Sequence, residues 1–109
     1  MYTDFLSKRV TVEVDRPLGS KHPKFDAHYP VNYGYIPNTK AGDGEEIDAY
    51  ILGEDRPLES FEGTVIAVIH RKDDVEDKLV VANEEFQVDE IKSLLHFQEQ
   101  YFDIEVIIL

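Results

Sequence analysis

Apolar and polar residues alternate through Val10-Thr11-Val12-Glu13-Val14, the two-residue period of a strand with one buried face. Pro17 and Gly19 in Asp15-Arg16-Pro17-Leu18-Gly19-Ser20 end that pattern. Residues 33–36 read as extended, because Pro37 disfavours helix in the residue before it. Gly42-Asp43-Gly44 is a turn signal. Residues 47–52 form a strand pattern rich in branched and aromatic side chains. Arg56-Pro57 and Glu62-Gly63 mark a loop and a turn. Thr64-Val65-Ile66-Ala67-Val68-Ile69-His70 is nearly continuous apolar sequence and predicts a central strand, with Lys78-Leu79-Val80-Val81-Ala82 as another.

The period changes over residues 88–102. Ile91, Leu94, Leu95, Tyr101 and Phe102 fall on one side at helical spacing, with polar residues opposite. Asp89 and Glu90 stand near the start, where carboxylates suit the helix dipole. Glu105-Val106-Ile107-Ile108-Leu109 predicts a last strand. Several strands, one helix and a final strand define a mainly β (α+β) chain. The expected architecture is a small antiparallel β-barrel with one packed C-terminal amphipathic helix, in a single domain over residues 1–109.

Composition narrows the partners. An apolar fraction of 42% among 109 residues is that of a folded protein. A formal net charge of −12 argues against nucleic acid or an anionic membrane as partner, since both attract basic surfaces, and it suits cation binding or simple solubility. Without cysteine there is no disulfide, thiolate ligand or thiol nucleophile. Residues 1–9 contain no apolar run of signal-peptide length, and no stretch is long enough to span a bilayer, so the expectation is a soluble, cytoplasmic protein.

The candidate chemistry is acidic. Asp43-Gly44-Glu45-Glu46-Ile47-Asp48 puts four carboxylates in six residues, a density that a hard, oxygen-seeking divalent cation would hold together. By itself such a cassette is more commonly a solvated loop. Asp73-Asp74-Val75-Glu76-Asp77-Lys78 repeats the design between two strands, and Lys78 could meet an anion bridged by metal. Two acidic turns at strand ends are what a two-metal phosphoryl site needs, although a charged hairpin tip is the commoner outcome. Tyr29, Tyr33 and Tyr35 can donate to phosphate oxygens or simply pack. Arg16, Lys21, Lys24 and Lys78 supply cations. The histidines have no zinc-type spacing; His70 and His96 read as structural.

Together these motifs identify a family. Tyr29-Pro30-Val31-Asn32-Tyr33-Gly34-Tyr35-Ile36, followed by Asp43-Gly44-Glu45-Glu46-Ile47-Asp48, resembles the YPxNYGYI stretch and Asp-Gly-Asp-Pro-hydrophobic-Asp signature of the soluble family I inorganic pyrophosphatases. The apolar strand at 64–70, the acidic turn into Lys78 and the Phe97 to Phe102 element continue the match in order, across about residues 10–102. The resemblance implies an OB-like barrel that hydrolyses pyrophosphate to two phosphates with Mg²⁺. It implies metal binding by Asp43, Glu45 and Asp48, by one of Asp73 and Asp74, and by one of Glu76 and Asp77, with Glu13 as a further acidic site residue. Glu45 would be the general base, flanked by Asp43 and Asp48 in the catalytic group. Tyr33, Lys78 and Tyr101 would contact phosphate, and Lys21 is the nearest stand-in for the pocket arginine.

The departures from the family pattern are specific. Glu45 replaces an aspartate, Glu46 a proline, Thr11 a lysine, and Phe102 the lysine after Tyr101. The expected function is Mg²⁺-dependent hydrolysis of pyrophosphate by metal-activated water, in a chain that could assemble as a homo-oligomer like its relatives. A second reading is a pyrophosphatase-like module that binds metal and phosphate or nucleotide without turnover, motivated by the missing cations. A third is an interaction protein using the apolar edge at 106–109.

Overall fold

The computed structural model describes residues 2–109. A short 3-10 helix, Tyr2–Phe5, leads into β1 (Arg9–Arg16), β2 (Asn32–Ile36), β3 (Ile47–Ile51), β4 (Ser60–Arg71), β5 (Lys78–Ala82), α1 (Val88–Glu99) and β6 (Ile104–Ile107). The first five strands close on themselves in the order β1-β2-β3-β5-β4-β1. β4 makes this closure by its length. Its start pairs with β1, its middle with β5, and its end, Val68 to Arg71, carries β6 outside the barrel.

The fold class is that predicted, a small mainly-β barrel with one packed helix. One pairing is unlike the rest. β3 and β5 run parallel, with Ala49 opposite Leu79 and Ile51 opposite Val81, so the barrel is mixed rather than wholly antiparallel. The long excursion through β4 makes this possible, because parallel neighbours need a crossover connection.

Side-chain alternation through the wall separates two cores. Val12, Ile47, Ala49, Ile51, Val65, Val68, Leu79 and Val81 fill the interior. Tyr33, Tyr50, Leu52, Ala67, Ile69, Val80 and Ala82 point to the opposite face, where Ile91 and Leu95 of α1 cover them. Helix α1 begins with the Gln87 N–H donating to the Glu90 carboxylate at 2.9 Å, which satisfies one of the free amides of the first turn. It ends at Glu99, three residues before the predicted boundary. Tertiary contacts end it: the Phe102 ring packs on Arg71, and the Asp103 N–H donates to Asp73 at 3.2 Å. Tyr101 is therefore half-exposed, off the apolar stripe where the periodicity put it. Gln98 and Glu99, at helical spacing from Leu94 and Leu95, are buried although polar. Among the described residues no helix is long and apolar enough to cross a membrane.

Candidate functional site

The parallel pairing of β3 with β5 builds the site. With Ala49 beside Leu79, the residues just before them, Asp48 and Lys78, stand side by side at the same end of the sheet. Both point to the face that α1 covers farther along. The Lys78 ammonium, almost fully buried, donates to Asp48 Oδ2 at 2.6 Å and to Glu76 Oε1 at 2.5 Å. The Tyr33 hydroxyl, from the neighbouring β2, donates to the same Asp48 oxygen at 2.7 Å. Alternation into β5 settles which acids of the second turn face this point: Glu76 and Lys78, two residues apart, share a side, and Asp77 does not.

The two acidic turns are in backbone contact. A Cβ built on Gly42 would stand 2.2 Å from the Val75 carbonyl oxygen, so only glycine lets the cassette loop lie against the 72–77 turn. Between them opens a cleft of about 470 Å³ lined by Asp15, Asp43, Glu45, Glu46, Asp48 and Glu76, with Tyr35. Within the cassette, Asp43 Oδ1 accepts the Glu45 N–H at 3.0 Å, a local turn bond that leaves the Glu45 side chain exposed.

The electrostatics follow from six carboxylates lining one cleft, two of them held on the Lys78 ammonium. Burial would raise the Asp48 carboxyl, but the Lys78 charge and the hydrogen bonds from Lys78 and Tyr33 hold it below its ordinary value. Glu76 goes the other way. Burial, reinforced by the neighbouring Asp48 charge and only partly offset by Lys78, pushes it up to about 7. Asp15 is also raised, by burial first and by Asp48, while the adjacent Arg16 opposes the shift. The Tyr33 phenol, raised by burial and by Asp48, stays protonated as a donor.

The remaining predicted residues spread around this centre. Asp74 folds its own turn, accepting the N–H groups of Val75 at 2.6 Å and Glu76 at 3.3 Å, and meets Arg71 at 3.5 Å. Asp73 is exposed and accepts the Asp103 N–H. Asp77 lies across the sheet, 3.1 Å from His70 Nδ1, and accepts the Arg71 N–H. Glu13 is half-buried on β1 opposite Tyr35 and does not line the cleft; Asp15, two residues on, does. Lys21 is exposed in a backbone bridge with His28, and Tyr101 stacks on Phe25 at 4.1 Å; neither lines the cleft. Asp15 is the acid that the motifs missed. The strand period that marks Glu13 also marks Asp15, although a bulge at Val14 to Arg16 interrupts the register there.

The donor set fits a hard divalent cation, because every side chain lining the cleft offers oxygen. Among the described residues no three of these acids converge tightly enough to grasp one ion as they stand. Asp48 and Glu76 are instead closed over Lys78, whose ammonium occupies the point between them.

Comparison with known proteins agrees with the geometry. The sequence profile described as inorganic pyrophosphatase matches residues 6–105. The chain is similar to the inorganic pyrophosphatase of Xanthomonas campestris, 30% identical over an alignment covering 91% of this chain and 68% of that protein. It is similar to that of Xylella fastidiosa, 36% identical over 55% of this chain. The chain spans 34% of the length of the Xylella relative. Its fold is that of the crystal structure of inorganic pyrophosphatase from Ehrlichia chaffeensis, with a TM-score of 0.71 at 21% identity, covering 92% of this chain and 85% of the other.

Proposed function

The chain belongs to the inorganic pyrophosphatase family, and on that footing we propose that it hydrolyses pyrophosphate to two phosphates with Mg²⁺. One observation carries this reading: both acidic turns meet in a single cleft, with Lys78 held between Asp48 and Glu76. Asp43, Asp48 and Glu76 are the residues that would hold the metal, with Asp15 at the rim. A bound Mg²⁺ would neutralise charge on the phosphate oxygens and make an attacking water acidic enough to react near neutral pH.

The protein's own groups supply the rest. Glu45, exposed in the cassette, takes the proton from the attacking water at its carboxylate. Its backbone N–H bond to Asp43 holds the turn that aims it. Once Asp48 and Glu76 are engaged elsewhere, the Lys78 ammonium is free to donate to a phosphate oxygen. Tyr33 keeps Asp48 oriented throughout. Arg16, whose charge acts on Asp15, takes the place in this reading that Lys21 held from sequence. The test is a phosphate-release screen over pyrophosphate, polyphosphate and nucleotides, with and without Mg²⁺. Release from pyrophosphate that needs Mg²⁺ is expected; release from no substrate contradicts the reading.

A second reading, binding without turnover, draws on Phe102. Where the family pattern has a lysine, this ring lies 3.7 Å over the Arg71 guanidinium, so the position offers no charge to phosphate. Calorimetry separates the two: pyrophosphate that binds with Mg²⁺ and stays intact favours the second.

Glu76 gives the first reading a pH signature. Its value of about 7 in the fold lies above the ordinary 4.5, so the metal-free fold favours its protonated form. That contribution to stability is complete below the ordinary value and is lost as pH rises through 7. Mg²⁺ needs the carboxylate, so its affinity is expected to rise by up to about tenfold per pH unit below 7 and to level off above. Calorimetric titration across this range checks the slope. Glu76→Gln should flatten it, and an unchanged slope in that variant would exclude Glu76 as its source.

A further inference from the structure

The face that carries the cleft also carries a buried chain of polar groups that the reaction does not use. At its centre the Glu99 carboxylate, 2% exposed, accepts the Tyr50 hydroxyl at 2.5 Å. It also accepts Arg71 through Nε at 2.9 Å and Nη2 at 2.6 Å. Tyr50 lies two residues from Asp48 on β3, on the same face. Arg71 ends β4 and opens the turn that carries Glu76. Its remaining nitrogen meets Asp74, and Asp74 in turn accepts the Glu76 N–H. Gln98 Nε2 donates to the Tyr50 hydroxyl at 2.5 Å, and its Oε1 lies 2.7 Å from His22 Nε2. His22 Nδ1 accepts the N–H groups of Lys24 and Phe25, so the ring donates to Gln98 from its other nitrogen. No buried side-chain polar atom among the described residues lacks a partner.

Glu99 thus bridges β3, which carries Asp48, and the end of β4, where the turn that carries Glu76 begins. Stability is a poor explanation for this arrangement. Burying two charges costs desolvation energy, and well-packed apolar residues in their place are often neutral or stabilising. A bidentate guanidinium pair is, however, geometrically demanding, and it fixes the separation of the elements it joins. We propose that Glu99 and Arg71 are positioning residues for the metal site: they set the spacing of Asp48 and Glu76 through Tyr50 and Asp74. The inference rests on the reading that Asp48 and Glu76 hold the metal. It predicts that the pair can be removed with the fold intact and the metal affinity reduced.

The test is Mg²⁺ binding by calorimetry, with thermal melting, on the wild type, the double variant Arg71→Met/Glu99→Leu and Tyr50→Phe. The double variant removes both charges together and so leaves neither buried alone. It is expected to melt at or above the wild-type temperature and to bind Mg²⁺ about tenfold more weakly, the scale typical of groups that orient metal ligands. Tyr50→Phe keeps the ring and deletes only the hydroxyl's bonds; it should weaken Mg²⁺ binding by about threefold and lower the melting temperature by several degrees, because Gln98 Nε2 loses its acceptor, while the protein stays folded, and it decides the matter if the double variant fails to fold. Wild-type affinity in a folded double variant, or in Tyr50→Phe where that variant does not fold, overturns the inference and leaves the metal reading standing. A wild type that binds no Mg²⁺ overturns both.

Discussion

Asp48→Asn is expected to lower pyrophosphate hydrolysis by about 100-fold or more while the protein stays folded. The side chain keeps its shape and loses its charge. In the fold that charge is the point on which three elements converge: Lys78 from β5 at 2.6 Å, Tyr33 from β2 at 2.7 Å, and Asp48 itself from β3. An amide can still accept from Tyr33, but it is a poor ligand for a hard cation and no longer offsets the Lys78 charge. Lys78 retains Glu76 at 2.5 Å, so its buried ammonium is not left alone and the barrel survives. Orienting groups around a metal typically change affinity or activity by about 10–100-fold, and a direct ligand sits at or beyond the top of that range. Phosphate release measured beside circular dichroism checks both halves. A folded variant with wild-type turnover would remove Asp48 from the site.

Gly34→Ala acts on the fold itself. A Cβ at Gly34 would stand 1.9 Å from the backbone carbonyl oxygen of Glu13, where no side-chain movement can relieve it. Gly34 stands opposite Val14 on β1, next to the bulge at Val14 to Arg16. Either the strands part or the bulge shifts, and overpacking of this severity costs about 3 kcal/mol or more. For a chain of this size the melting temperature should fall by roughly 15 °C. The substitution also moves Tyr33 and Asp15, so Mg²⁺ binding should weaken with stability. A melting temperature within a few degrees of wild type would contradict a tight approach of β1 to β2 at Gly34.

These two positions also show what was legible in the sequence. Tyr33-Gly34-Tyr35 and the cassette stood out because turn glycines, tyrosines and dense carboxylates are local signals. The strands at 78–82 and 47–51 were placed within a residue of their observed bounds, since apolar runs bounded by turns define strands whatever their partners. Their partners were not legible. Nothing in Ile47 to Ile51 says that the neighbouring strand arrives parallel from the far side of β4, yet that pairing is what sets Asp48 beside Lys78. The register of the 73–77 turn was likewise open until β5 fixed Glu76 on the side of Lys78 and Asp77 on the side of His70. Gln98 and Glu99 fall at helical spacing from Leu94 and Leu95, but that spacing does not say what a buried amide and carboxylate would meet. Their burial depends on Tyr50, 48 and 49 residues away, and on Arg71, 28 residues from Glu99, partners that no local pattern carries.

The departures at Glu45 and Phe102 acquire different weights in the fold. Phe102 is accommodated structurally, as a lid on the buried Arg71. Glu45 lines the cleft with its side chain exposed, free to take the longer reach that one more methylene gives it. Positioning errors on the order of 1 Å can cost about 100-fold in rate, so the rate of the wild type is where this substitution would register.

The most direct measurement is phosphate release from pyrophosphate by the wild-type protein and by Asp43→Asn/Asp48→Asn, each with and without Mg²⁺. Hydrolysis that requires Mg²⁺ and disappears in a folded double variant is the predicted result. Equal release by the wild type and the double variant would contradict the account.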